Sequence, residues 1–159
     1  ATAVARISEA TGLRFVADGA TEEAPGEGRE PYQPDRYGDR WAPVLVAWST
    51  PTETVELAGD VAGSAGSSSV ASGGRSFYVT GQVVLDGPSI AQLAGDGPNG
   101  VAVAQGIVTH EMAHVVGLGH VDDPNELMNP TAALTQTYLA PGDLAGLALM
   151  GTGPCAPHL

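Results

Sequence analysis

At 159 residues, 43% of them hydrophobic, the chain can close one core but hardly two, so a single domain over 1–159 is expected. Six arginines, no lysine and eighteen acidic residues give a formal charge of −12, which excludes a basic surface for nucleic acid or anionic membrane; such an acidic excess ordinarily serves solubility, with a preference for basic substrates as the other reading. No run approaches the roughly 20 continuous apolar residues that a bilayer requires, and the single Cys155 cannot form an internal disulfide, so the core must hold by packing or by a metal.

In chain order, Val4, Ile7, Ala10 and Thr11 share one helical face, and Gly12 is a natural stop. Leu13 to Ala17 alternates as a strand would. Asp18 to Arg40, rich in Glu, Gly, Pro and Arg, is too polar for the core and too long for a tight turn, and is expected as a surface excursion. Pro43 to Ser49, PVLVAWS, reads as a buried strand placed centrally in a sheet. Thr52 to Gly74 has the composition of a flexible linker around GSAGSSSVASGG, yet the strand that follows immediately argues for order. That strand is Phe77 to Leu85, with Gly81 as a bulge and Asp86-Gly87-Pro88 as its end. Asn99 suits the N-cap of a helix running to about Val116, where Gly117 ends it, and a last helix fits Pro141 to Met150, with Asp143 in its first turn. A start at Ala1 without a basic-then-apolar leader is expected of a processed or excised domain.

Three of the four histidines fall within eleven residues, His110-Glu111-Met112-Ala113-His114-Val115-Val116-Gly117-Leu118-Gly119-His120. From the chain's own His, Glu and Gly frequencies this H-E-x-x-H-x-x-G-x-x-H pattern would arise by chance in roughly 2 of 100,000 such chains. Residues four apart on a helix lie about 6 Å apart on nearly one face, so His110 and His114 can share one metal. A continuing helix would carry His120 about 15 Å from His110, beyond any bridging ion, so the chain has to turn back, and Gly117 stands where it must. Three neutral imidazoles leave one zinc position open, the mark of a catalytic site. Glu111, rotated about 100° from His110, flanks the metal without ligating it. There it can take a proton from a zinc-bound water attacking a carbonyl and hand it to the departing amine.

This motif resembles that of the metzincin metallopeptidases, and Leu127-Met128-Asn129-Pro130 resembles their Met-turn, with Met128 beneath the zinc-binding histidines. Within that clan the chain is most similar to the matrixin group, over about two thirds of its length by the order of elements. The resemblance implies an α+β fold: a twisted mixed sheet with an active-site helix and a C-terminal helix, divided into 1–120 and 121–159 around a cleft. It implies a zinc endopeptidase with His110, His114 and His120 as ligands and Glu111 as the general base. An edge strand within Asp60 to Ala71 would pair with an extended peptide or protein substrate, and Pro130, Thr131 and Ala132 would border the pocket for the side chain after the scissile bond. It further implies secretion, and a monomer is expected.

Departures from the pattern shape the remaining expectations. Val121 stands where matrixins carry serine, and no tyrosine lies two residues beyond Met128, which leaves Tyr138 a structural role. The upstream ligands of a second, structural zinc are absent and His158 is the only other histidine, so one zinc is expected. Asp86 resembles part of a matrixin calcium site, but Ser89 stands near the second acid's place, which counts against calcium. Asp122, Asp123 and Glu126 read as solvated loop acids. The family's first strand would precede the opening helix, where this chain supplies little or nothing. The alternative to a peptidase is a silent or masked zinc-binding module that binds extended peptides without turnover.

Overall fold

The chain opens with α1 (Thr2–Thr11), closed by Gly12, whose φ of 74° is the left-handed turn that side chains resist. Ala3 and Ile7, one helical turn apart, enter the core. The computed structural model describes residues 1–131, 135–150, 152–154, 156 and 159, so Ala132, Cys155 and His158 lie outside the described residues. Leu13 to Ala17, expected as a strand, pairs with no strand among them. Its alternation is real, since Phe15 packs on the core while Val16 is exposed, but no neighbouring backbone offers it a ladder.

The excursion from Asp18 to Arg40 contains one short helix, α2 (Pro34–Tyr37), and is bound more firmly than its polarity suggests. Arg29 Nε donates to Glu23 Oε1 at 2.9 Å, with the two side chains only 6% and 7% exposed. The same guanidinium donates to the carbonyls of Pro43 and Gly81 and to Thr80 Oγ1, and Gln82 exchanges two hydrogen bonds with the backbone of Gly26. Burial alone would raise the Glu23 carboxyl, but donors from Arg29, Tyr37 and Gln33 outweigh it and hold the group at about 2.

The sheet has three strands, β1 (Leu45–Ser49), β2 (Gly63–Ser72) and β3 (Arg75–Asp86), in the order β1-β3-β2. It is mixed: β1 runs parallel to β3 and β2 antiparallel. The centre belongs to β3 and not, as expected, to β1. Val83 and Val84 on successive faces of β3 are both buried, whereas Val46 and Trp48 of β1 are 51% and 62% exposed. Burial, which an apolar run alone does not reveal, decides between the two. The Gly/Ser-rich stretch is ordered as β2, which forms the far edge of the sheet. Its poor intrinsic preference is overcome by ten residues of pairing with β3 and by Gly73 and Gly74, whose φ values of 57° and 76° make the hairpin turn between the strands. The ladder slips between Ser68 and Ser69, passing over Val79, so the irregularity lies two residues from the expected Gly81. Gly81 stays paired with Ser67, in a place where a Cβ would sit 2.5 Å from the Gly66 carbonyl.

Asp86 ends β3 and immediately caps α3 (Gly87–Gly95), a helix where only the end of the strand is expected. Its Oδ1 accepts from Ser89 N and its Oδ2 from the Ser89 hydroxyl, so both oxygens serve the cap. Then α4 (Gly100–Val115) crosses the molecule, with Asn99 at the N-cap position but making no side-chain cap bond. The last helix, α5 (Pro141–Leu147), is shorter than the expected Pro141–Met150. Ile7, Val83, Leu85, Met112, Met128 and Leu147 meet in one core, so sheet, α1, α4 and α5 share it. The architecture is α+β as expected, and no helix among the described residues is long and apolar enough to cross a membrane.

Candidate metal centre and cleft

The helix α4 carries His110, Glu111 and His114, and it stops where the third histidine has to be brought back. Gly117 takes a φ of 102°, and Gly117 N and Leu118 N donate to the carbonyls of His114 and Ala113, closing the helix. A side chain at Gly117 would be strained twice, since a Cβ there would also lie 2.8 Å from the Tyr78 ring. The chain then reverses and delivers His120, and Val121 N bonds to the Met128 carbonyl at 3.0 Å, fastening this segment to the Met128 loop.

The three Nε2 atoms form a triangle with every side 3.1 Å. His110 Nδ1 lies 2.7 Å from the Leu127 carbonyl and His114 Nδ1 lies 2.8 Å from the Leu118 carbonyl. A carbonyl can only accept, so both Nδ1 atoms carry the proton and both Nε2 atoms present lone pairs. At least two lone pairs therefore converge on one point, an arrangement that repels itself unless a cation occupies it. Burial holds His110 and His114 below the usual imidazole range, which keeps them neutral and able to ligate. Bonds of 2.0–2.1 Å at tetrahedral angles place ligand atoms about 3.3 Å apart, so the triangle fits zinc. Together His110, His114 and His120 could hold one metal ion.

Glu111 turns from this triangle into an adjoining cleft. It is 7% exposed, and among the described residues no donor engages its carboxylate. Burial without such a donor pushes it up to about 7. Gly63, the first residue of β2, lies directly against it: a Cβ there would be 2.8 Å from Glu111 Cγ. Next to His110 and Glu111 opens a cavity of ≈ 190 Å³, walled by Val103 and Ile107 of α4, by Leu127 and Pro130 of the loop after His120, and by Asp60 to Gly63 at the approach to β2. Of the residues expected to border a pocket, Pro130 lines it, whereas Thr131 is exposed and does not, its backbone N–H bonding to Asn129 Oδ1.

Met128 is buried in the core with Met112 and Ala113, two of the three residues between the histidines of α4. Its loop is held by a reciprocal brace that the sequence did not disclose. Asp143, 2% exposed, accepts from Leu127 N and Ala140 N through Oδ2 and from Met128 N through Oδ1. In return, Glu126 accepts from Gly142 N and Asp143 N, at 3.0 and 2.7 Å. Glu126 is therefore no solvated loop acid. Asp143 does stand in the first turn of α5 as expected, but its carboxylate works across the fold, and only the folded path of the chain could reveal this. The brace reaches the triangle, because Leu127, whose N–H is held by Asp143, offers its carbonyl to His110. Tyr138 has a structural contact: the Arg6 guanidinium lies 4.5 Å above its ring and donates to Thr137 O.

No curated protein and no solved structure matches the chain. A family model described as matrixin matches residues 48–149, from the sheet through α5, and includes all three histidines and the brace. Converging imidazoles, the glycine break and this match agree, and the chain belongs to the matrixin family.

Proposed function

We propose that the chain is a zinc-dependent endopeptidase in which His110, His114 and His120 hold the metal and Glu111 is the general base. The observation that carries this reading is the 3.1 Å triangle of Nε2 atoms beside a buried carboxylate that opens on a cavity. When bound, zinc supplies Lewis acidity towards water and the scissile carbonyl. Glu111 accepts the proton of the attacking water and delivers it to the departing amine nitrogen. The carbonyls of Leu127 and Leu118 keep His110 and His114 in the tautomer that ligates, and Met128 packs beneath the helix that carries them.

An extended peptide pairs with the outer edge of β2, and the side chain after the scissile bond enters the cavity bordered by Pro130. Family membership supports action outside the cell; the absence of upstream histidine ligands argues for a single zinc, Ser89 beside Asp86 counts against calcium, and we propose one catalytic domain over 1–159 acting as a monomer. A zinc-binding module without turnover is the competing reading, and the unengaged carboxylate of Glu111 favours catalysis. Zinc content and cleavage of a mixed peptide library, with and without a chelator, test the proposal. The expected result is one equivalent of zinc and chelator-sensitive cleavage. Glu111→Ala should keep zinc and lose about 10²- to 10⁴-fold in turnover. Full activity in that variant would refute the mechanism, and a protein that binds no zinc would refute the site.

A further inference from the structure

The cavity beside Glu111 has apolar walls and an acidic rim. Val103 and Ile107 stand two turns and one turn before His110 on α4, and Leu127 and Pro130 face the space from the following loop. Besides Glu111, the charged groups that line it are Asp60, from the approach to β2, and Glu126, from the loop after His120. None of the six arginines lines it: Arg29 and Arg40 are paired with Glu23 and Asp18, and Arg6 is engaged on Thr109, Thr137 and Tyr138. Asp60 is exposed and, among the described residues, accepts no hydrogen bond, while Glu126 gives one lone pair of each oxygen to the α5 backbone and keeps the others.

We infer that this pocket selects a basic side chain, arginine or lysine, on the residue after the scissile bond. The inference rests on the peptidase reading and names its substrate class: proteins cut before basic residues. The aliphatic stem of such a side chain covers Val103, Ile107, Leu127 and Pro130, and its cationic end reaches Asp60 and Glu126, a division that long basic side chains make wherever an apolar surface ends in a polar rim. A leucine would cover the same walls and leave both carboxylates to water. A glutamate would bring a third negative charge to them. The overall charge of −12 works in the same direction at longer range by drawing basic substrates to the cleft.

The test is a set of peptides that differ only in the residue after the expected cleavage site, Arg, Lys, Met, Leu or Glu, given to the zinc-loaded protein. Two partly exposed ion pairs correspond to about a tenfold preference in kcat/KM for Arg over Leu, and to about a hundredfold preference over Glu. Asp60→Asn and Glu126→Gln should each cut the Arg-to-Leu ratio severalfold, as should raising the salt from about 0.05 to 0.5 M, which shortens the screening length. A leucine preference in the wild type, or an Arg-to-Leu ratio that neither variant moves, overturns the inference while leaving the peptidase intact. Binding of the same peptides to zinc-loaded Glu111→Gln supplies a readout independent of turnover. Tighter binding of the Arg peptide with no cleavage by the wild type would uphold the pocket and sink the peptidase, whereas equal binding of all five would sink the pocket.

Discussion

Replacing Asp143 by asparagine breaks the brace between α5 and the Met128 loop with almost no change in volume. The carboxylate accepts three backbone amides, two on Oδ2 and one on Oδ1, in a place that is 2% exposed. An asparagine that keeps its oxygen towards Leu127 and Ala140 turns its NH₂ group against Met128 N–H, so one buried donor loses its acceptor and the other two bonds lose their charge assistance. An unsatisfied buried amide and weakened charged bonds together cost about 2–3 kcal/mol. At roughly 2–4 °C per kcal/mol for a domain of this size, the melting temperature should fall by about 5–10 °C. The functional consequence is separate. Leu127, held by Asp143, offers its carbonyl to His110 Nδ1, and loss of such support typically weakens metal binding about 10- to 100-fold. Thermal melts followed by circular dichroism and zinc competition against a chromophoric chelator read the two effects. A variant that melts with the wild type and holds zinc as tightly would refute the brace as a positioning device.

Gly63→Ala places a Cβ 2.8 Å from Glu111 Cγ and 3.0 Å from its Oε1, so the carboxylate has to move. Displacement of a reacting group by this order costs about 10- to 100-fold in kcat/KM, and zinc content should be preserved; unaltered kinetics would show that Glu111 does not depend on the glycine. The Glu23 carboxyl sits at about 2 when folded against an ordinary 4.5, so the stability it contributes is fully present above pH 4.5 and is lost as pH falls towards 2. Allowing for solvent screening, that contribution is about 1–2 kcal/mol. The stability gap between wild type and Glu23→Gln should therefore be widest near neutrality and close near pH 2, and a gap constant across that window would refute the ion pair as its source.

Local signals carried a good part of this molecule. The histidine spacing, the helix that bears it and the glycine that ends it follow from the helical repeat and from one left-handed residue, and α4 and Gly117 stand as expected. So do α1 with Gly12 and the last helix with Asp143 in its first turn. What escaped was set by partners distant in sequence. An apolar run alone does not tell a central strand from an edge strand, and β1 became an edge because β3 is covered on both faces. Leu13 to Ala17 has the alternation of a strand but, among the described residues, no neighbour to pair with. Asp86 and Pro88 end a strand and equally open a helix, so α3 has no local signal that separates it from a turn. The Glu126–Asp143 brace and the Arg29–Glu23 pair join segments that only the fold brings together, so residues that look like solvated charges proved to be fasteners.

The composition of β2 has a bearing on how a bound chain would move. Nine of its ten residues are Gly, Ser or Ala, with Val70 the one exception, and its outer edge is free among the described residues. A strand paired there meets backbone donors and acceptors that repeat every two residues and almost no side chains to mark one position from the next. Register on such an edge is weakly specified, and a partner can slide in steps of two residues with little change in energy. Under the proposed function a peptide along β2 would be threaded more than read, and the choice of where it stops would fall to the cavity beside Glu111.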